Sequence, residues 1–234
     1  MITSITHVLA VASAILYDYQ TAITGALALG AAIWTVTTIR TQIKQSNTQE
    51  IDRRHRRNRA ARSMMPTALS ALCDYSERSI NILLPLLTKM QQKQAVETET
   101  ASETPTIPSD ALSTLRECIE FGEDEIERNI AALIRRLQVQ HSRLRGIPAD
   151  LLSEEKTLLP ENVIAYVLDA VEVYARCSKL FAYARRETEV APTELSEVDL
   201  VSAANNCNIW EDRNPEIFAA IKVRFDKGGV LTKT

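Results

Sequence analysis

An uncharged stretch near the N-terminus constrains this chain more than any other feature of its 234 residues. Asp18 carries the only full side-chain charge in the first 39 residues, and residues 21–39 read TAITGALALGAAIWTVTTI. As a helix this segment is about 28 Å long, close to the thickness of a bilayer's hydrocarbon core. One charged residue at mid-span would cost about 3 kcal/mol, and none is present. The sequence therefore predicts a transmembrane helix over 21–39.

The charges on either side of this stretch predict its orientation. No Lys or Arg precedes residue 21. Basic residues crowd the segment that follows it, namely Arg40, Lys44, Arg53, Arg54, Arg56, Arg57, Arg59 and Arg62. Membrane proteins keep such residues in the cytoplasm. We therefore expect a single-pass protein, with its N-terminus outside and its C-terminal region cytoplasmic.

The short apolar segment over 1–20 leaves three alternatives open. Residues 2–17 could form a second membrane helix, which would make a hairpin with the turn at 18–20. They could also be a signal peptide cleaved near Ala12-Ser13-Ala14, although such a signal lacks its usual basic region here. The whole stretch could instead be a buried helix of a soluble protein.

Small residues repeat every four positions along the predicted span, at Ala22, Ala26 and Gly30. This spacing lets a second helix approach closely in a membrane. Alanine is also a common filler of helices. The stripe therefore makes self-association through this face one hypothesis beside simple helix filling.

Residues 40–62 contain no Gly or Pro and predict a basic juxtamembrane helix that continues the span. Its candidates for contact with anionic lipid headgroups are Arg53, Arg54, Arg56, Arg57, Arg59 and Arg62, because guanidinium groups pair well with phosphate. Arg53 lies about 21 Å beyond Ile39 along a straight helix, which exceeds the Debye length, so headgroup contact requires a bend. A solvated topology signal, or pairing with acidic residues of the same chain, would explain the charges equally. No aromatic residues are interleaved for base stacking, so we expect no nucleic-acid partner.

The remaining residues predict an all-α cytoplasmic part. Residues 63–93 have the 3–4 apolar spacing of an amphipathic helix, with a kink or new first turn at Pro66 and a bend or break at Pro85. Residues 94–110 are acidic and lack an apolar period, which is typical of a flexible linker. Residues 111–234 predict a helical bundle. The fold class is thus an N-terminal transmembrane helix leading into a bundle of about four or five helices.

Four helices are predicted after the linker. The first begins at Ser109-Asp110, ends near Arg145 with Gly146 as its C-cap, and carries a heptad-like, coiled-coil seam at Ile126, Ile130, Leu133, Leu137 and Leu144. A loop over 147–159 follows. The second begins at Pro160 and has the clearest apolar stripe of the chain, with Glu172 beside that stripe. A third covers 192–206, and the last runs from Asn214-Pro215 to Gly228-Gly229.

The sequence shows no recognisable catalytic chemistry. Phosphate-binding, dinucleotide-binding, nucleophile-elbow and zinc-protease motifs are all missing, and no Glu-x-x-His pair supports a di-metal bundle site. The four Cys lack metal-ligand spacing and are expected to be buried thiols in a reducing compartment. A pair of Cys207 and His141 could form a nucleophile and base only if the fold joined them, and His141 is expected to be solvated or hydrogen-bonded. We therefore expect no cofactor, no metal and no enzymatic activity.

The first third of the chain resembles a type of uncharacterised bacterial inner-membrane protein. The shared parts are an aromatic-Gln-Thr start at 19–21, a Gly/Ala-rich span at 25–32, an I-R-x-Q-I-x-Q continuation at 39–45, an Arg-rich stretch at 53–62 and an A-L-S-x-L-x-x-Y helix at 68–75. The resemblance implies membrane anchoring in bacteria and no particular activity.

Three functional hypotheses follow. The first is a non-enzymatic, membrane-anchored helical protein that presents a cytoplasmic interaction module to a protein partner or to a second copy. The second is a sensor of lipid or membrane state, in regulation or phage defence, that acts through the Arg-rich segment. The third is an enzyme whose site has no legible motif.

Overall fold

Helices account for nearly all of the described chain, in keeping with its scarcity of Gly and aromatic residues. The computed structural model describes residues 2–94, 104–152, 158–190 and 194–226, and these contain no strand. The helices are α1 (Ile2–Gln91), α2 (Ser109–Phe121), α3 (Asp124–Leu152), α4 (Pro160–Ala184), α5 (Glu197–Asn206) and α6 (Pro215–Asp226). The predicted all-α fold is confirmed.

The chain divides into an N-terminal unit, residues 1–54, and a helical domain, residues 55–234. Every described side chain of the N-terminal unit is exposed, and Trp34 is 75% exposed. Within the described residues, α1 is the one helix that is long and apolar enough to cross a membrane. None of the residues in its most apolar stretch is buried. The side chains of the N-terminal unit that the structure describes therefore form no apolar core.

The helical domain has two apolar core clusters, and three helical segments contribute to both. Residues 55–91 of α1, together with α3 and α4, run through the two clusters, α2 closes one, and α5 and α6 close the other. The first cluster includes Leu72, Leu115 and Leu133, and the second includes Leu83 and Ile217. Each such side chain contributes about 1.5–3 kcal/mol when fully buried. The amphipathic helix predicted over 63–93 thus shares its core with the helices after the linker.

The single helix predicted from Ser109 to Arg145 is wrong, because the chain breaks at Gly122. Gly122 adopts an extended backbone between α2 and α3. A Cβ atom at this position would lie 2.4 Å from the carbonyl oxygen of Cys118, so only glycine allows the close approach. Three acids then occupy the first turn of α3, where they complement the helix dipole. The acidic cluster around Ile126 therefore begins a new helix.

The C-cap predicted at Gly146 is also wrong, and so is the loop predicted to follow it directly. Helix α3 continues to Leu152 with Pro148 inside it. A proline in a helix interior removes one backbone hydrogen bond. Ile147 is only 1% exposed and Leu151 packs on the same core, so apolar burial offsets that loss.

The prolines of α1 do not end the helix. Pro66 and Pro85 both lie inside α1, which continues to Gln91, so a new first turn at Pro66 and a break at Pro85 are wrong. Residues 95–103 of the predicted linker lie outside the described residues. Residues 104–108 are not helical, and Ile107 packs against the core.

Each of the last three helices begins at a proline or at a capping box. Pro160 is the first residue of α4, as predicted. Helix α5 begins at Glu197, later than predicted, because Ser196 and Asp199 form a capping box there. Pro215 begins α6 as predicted, whereas the glycine pair at 228–229 lies outside the described residues.

Candidate functional site

The threonine side chains of the predicted span are hydrogen-bonded within their own helix. Thr24 and Thr35 each donate to the carbonyl oxygen four residues earlier, at 2.8 Å. Thr21, Thr37 and Thr38 also donate to preceding carbonyls, at 2.8–3.0 Å. A hydroxyl with an internal acceptor costs less to place in lipid than a bare one. These bonds reduce the polarity that threonine gives to residues 21–39.

The predicted helix-association stripe is exposed along α1. The side chains of Ala22 and Ala26 are exposed, and nothing lies within 4 Å of where a Cβ atom at Gly30 would stand. The surface is therefore open to a second helix, and self-association stays a prediction.

Five of the six predicted lipid-contact arginines are exposed on α1, namely Arg53, Arg54, Arg56, Arg57 and Arg59. The Nη1 atom of Arg53 lies 4.0 Å from a carboxylate oxygen of Glu50. The guanidinium carbon of Arg57 lies 5.2 Å from the centre of the Phe121 ring in the helical domain. These side chains are exposed to solvent, and their contact with lipid stays a prediction.

Arg62, the sixth of these arginines, binds the C-terminal end of α4 and the residues after it. Its Nε atom donates to the carbonyl oxygen of Tyr183 at 2.8 Å, and Nη2 donates to that of Thr188 at 2.8 Å. Nη1 pairs with Glu189 at 2.9 Å, and the guanidinium lies 4.0 Å from the Tyr183 ring centre. These contacts hold the C-terminal end of α4 and the residues after it against α1. Our lipid-contact hypothesis therefore depends on the other five arginines.

Helix α4 carries the two buried acids found among the described residues. Asp169 and Glu172 are three residues apart on one face of the helix, and they are 1% and 0% exposed. Sequence analysis placed Glu172 beside the apolar stripe and did not single out Asp169. Burial of two carboxylates is costly unless cations and hydrogen bonds compensate them.

Four arginines from three helices provide this compensation, and we call the six residues together the arginine cage. Arg136 and Arg143 come from α3, Arg176 from α4 and Arg224 from α6. Arg136 bridges both acids, at 3.2 Å to Asp169 and 3.0 Å to Glu172. Arg224 also bridges both, at 3.2 Å each.

The other two arginines of the cage each pair with one acid. Arg176 Nε and Nη2 both donate to Glu172 Oε1, at 2.9 and 2.8 Å. Arg143 Nη1 donates to Asp169 Oδ2, and its guanidinium lies 5.6 Å from the Tyr166 ring centre. The cage thus joins α3, α4 and α6 through charge-assisted hydrogen bonds.

A second polar group lies between α1 and α3. The buried Tyr75 hydroxyl donates to Gln140 Oε1 at 2.8 Å and lies 3.0 Å from Nδ1 of His141. Burial raises the pKa of Tyr75 to about 12, with a smaller opposing effect from Ser79. Burial and the nearby Arg145 lower the pKa of His141. The hydrogen-bonded His141 that we predicted is confirmed, and its role here is to bond Tyr75.

The four cysteines are free and buried, as predicted. Burial raises the pKa of Cys118 to about 11 and that of Cys207 to about 12. Burial and the neighbouring Cys73 thiol raise the pKa of Cys177 well above its usual value. Because the thiolate is the reactive form, these three side chains are poor nucleophiles.

Comparisons with known proteins give no further assignment. No protein-family model, no curated protein and no solved structure matches the chain. Among the residues that the structure describes, no group of three or more His, Cys, Asp or Glu side chains could hold a metal ion. Our functional proposals therefore rest on two features of the structure, the exposed apolar surface of α1 and the arginine cage.

Proposed function

We propose that this protein is a non-enzymatic membrane anchor that presents its helical domain to a protein partner, or to a second copy, in the cytoplasm. The observation that carries the proposal is the exposure of apolar side chains along residues 21–39. Ile23, Leu27, Leu29 and Ile33 are between 55% and 69% exposed in this segment. The same side chains in lipid would be removed from water, which is worth about 25 cal/mol per Å² of apolar surface.

The internal hydrogen bonds of the span support the same proposal. A bilayer core offers no water to satisfy polar groups, so a crossing segment must satisfy them itself. Helix α1 does this for its backbone, and the five threonines of residues 21–39 donate to their own helix. The basic residues after the span then favour a cytoplasmic helical domain.

A charged residue at mid-span tests the anchor. Leu29→Lys adds about 3 kcal/mol to the cost of insertion, roughly a hundredfold in the insertion equilibrium. We expect the wild-type chain to sediment with membranes and resist alkaline carbonate extraction, and the Leu29→Lys chain to be extracted. Ile51→Lys is the matched control, because Ile51 is equally exposed on α1 but lies beyond the span.

Two results would contradict the anchor. One is a wild-type chain that stays in the supernatant after ultracentrifugation without detergent. The other is a Leu29→Lys chain that sediments like the wild type. Orientation is measured separately with C-terminal fusions, for which we expect a fluorescent cytoplasmic reporter and an inactive alkaline phosphatase.

A lipid or membrane-state sensor is the second candidate, and the exposure of Arg53, Arg54, Arg56, Arg57 and Arg59 favours it. Each basic residue near an anionic surface contributes about 1 kcal/mol. Hydrogen exchange of residues 50–62 in lipid nanodiscs tests it. A sensor predicts slower exchange with phosphatidylglycerol than with phosphatidylcholine alone, and loss of that difference when Arg53, Arg54, Arg56 and Arg57 become Gln. Equal exchange rates in both lipids would contradict the sensor proposal and would not affect the anchor proposal.

A further inference from the structure

The arginine cage carries more positive charge than its buried acids require. Four guanidinium groups meet two carboxylates, so two positive charges are uncompensated within the cage. Arg136 and Arg224 each bridge both acids. These two arginines alone would balance the two negative charges, and Arg143 and Arg176 add the surplus.

Three of the four arginines reach the solvent side of the cage. The acids are almost completely covered, whereas the side chains of Arg143, Arg136 and Arg224 are 43%, 24% and 21% exposed. A solute approaching these side chains therefore meets guanidinium groups before the two buried carboxylates of the cage. The acids hold the guanidinium groups in place, which lowers the entropy that a ligand would otherwise have to remove.

We propose that the exposed face of the arginine cage, formed by Arg136, Arg143 and Arg224, binds a phosphate group that carries two negative charges. Guanidinium groups present a planar fork of donors that matches phosphate oxygens. A dianion would neutralise the surplus charge and reduce the repulsion among the four arginines. The phosphate could belong to a soluble metabolite or to a lipid headgroup, since the chemistry of recognition is the same. The site does not depend on the proposed membrane anchor.

Arg143 is the residue whose loss tests the site best. It is the most exposed arginine of the cage, and Asp169 keeps Arg136 and Arg224 as partners without it. We expect inorganic pyrophosphate to bind the full-length chain in neutral detergent, measured by isothermal titration calorimetry. Arg143→Gln should weaken binding at least tenfold, and Arg143→Lys should weaken it less because it keeps the charge.

Lys222→Gln is the matched control, because Lys222 is an exposed cation on α6 that pairs with Glu211 outside the cage. Its affinity for pyrophosphate should equal that of the wild type. A second measurement needs no variant. Pyrophosphate should slow the modification of Arg143 by phenylglyoxal in the wild-type chain, as followed by mass spectrometry.

Nanodiscs separate the two sources of phosphate. If phosphatidic acid in the bilayer weakens pyrophosphate binding, the headgroup competes for the cage and a lipid is the natural ligand. If it has no effect, a soluble phosphate compound is. The proposal is overturned if pyrophosphate neither binds nor protects Arg143, or if it binds wild type and Arg143→Gln equally.

Discussion

Residues 13–54 and residues 55–91 belong to one helix, α1, but only the second part has buried side chains among those that the structure describes. Ile43 and Ile51 are 56% and 57% exposed, whereas Leu72 and Leu83 are fully buried. The difference lies in how the apolar residues are spaced and not in how many there are. Over 21–39 they occur on all sides of the helix, and from Ala61 onward they follow the 3–4 spacing of a stripe.

The spacing indicates which environment each part of α1 suits. A helix with one apolar stripe packs that stripe against other helices and exposes its other side to water. Residues 55–91 are arranged in this way. A helix that is apolar all round suits an environment that is apolar all round, which for residues 21–39 we propose is lipid. Matched substitutions in the two parts of the chain test this contrast.

The largest effect is expected from a buried charge and its exposed counterpart. Glu172→Gln removes the partner that Arg136, Arg176 and Arg224 share, and breaking a buried ion pair costs about 3–5 kcal/mol of unfolding free energy. Glu50→Gln removes an ion-pair partner that is 73% exposed, so it should leave stability unchanged within about 0.5 kcal/mol.

The measurement should report on the helical domain alone. The chain has two tryptophans, Trp34 in the N-terminal unit and Trp210 in the helical domain. Denaturant unfolding followed by Trp210 fluorescence in a Trp34→Phe background meets this need. A similar loss for both Glu variants, or none for either, would break the contrast between the two regions.

A smaller difference is expected for apolar side chains on α1 itself. Leu72→Ala leaves a cavity in the core and should cost about 2–5 kcal/mol. Ile43→Ala changes an exposed side chain and should cost less than about 0.5 kcal/mol. The midpoint of the same fluorescence transition gives both values. A large loss for Ile43→Ala would mean that the N-terminal unit packs against protein.

Apolar spacing predicted the packed faces of the helices well. All five seam residues of α3 are buried, and so are Val163, Val167 and Cys177 of the α4 stripe. Proline also predicted helix starts correctly, because its ring fits the first turn of a helix. Pro160 begins α4 and Pro215 begins α6. These features depend on residues close together in the chain, which is why one sequence suffices.

The failures involve backbone geometry and contacts between distant residues. Gly122 takes an extended backbone that ends α2, and α3 continues past Gly146 because Ile147 packs in the core. The arginine cage joins residues 26 to 55 positions apart, so sequence analysis did not connect its acids to Arg143 or Arg224. The one local signal was an acid pair in an apolar helix, followed by Arg176 four residues after Glu172.

The smallest expected effect is a dependence of stability on pH that comes from His141 of α3, which contacts Tyr75 in the packed part of α1. Burial lowers the pKa of His141 below its ordinary value of 6.5, so the unfolded chain binds a proton more readily than the folded one. Stability should therefore be full above pH 6.5 and fall as the pH drops below it, until the folded-state pKa is passed. His141→Gln should flatten this part of the profile and keep a partner for Tyr75, whose hydroxyl lies 3.0 Å from the imidazole.

The slope of stability between pH 5 and 7 is measured by following unfolding through Trp210 fluorescence at each pH, in the wild type and in the His141→Gln chain. A slope that His141→Gln leaves unchanged would mean that burial beside Tyr75 does not set it. A steeper fall in the His141→Gln chain would mean that the protonated imidazole stabilises the fold, which reverses the sign expected from its burial.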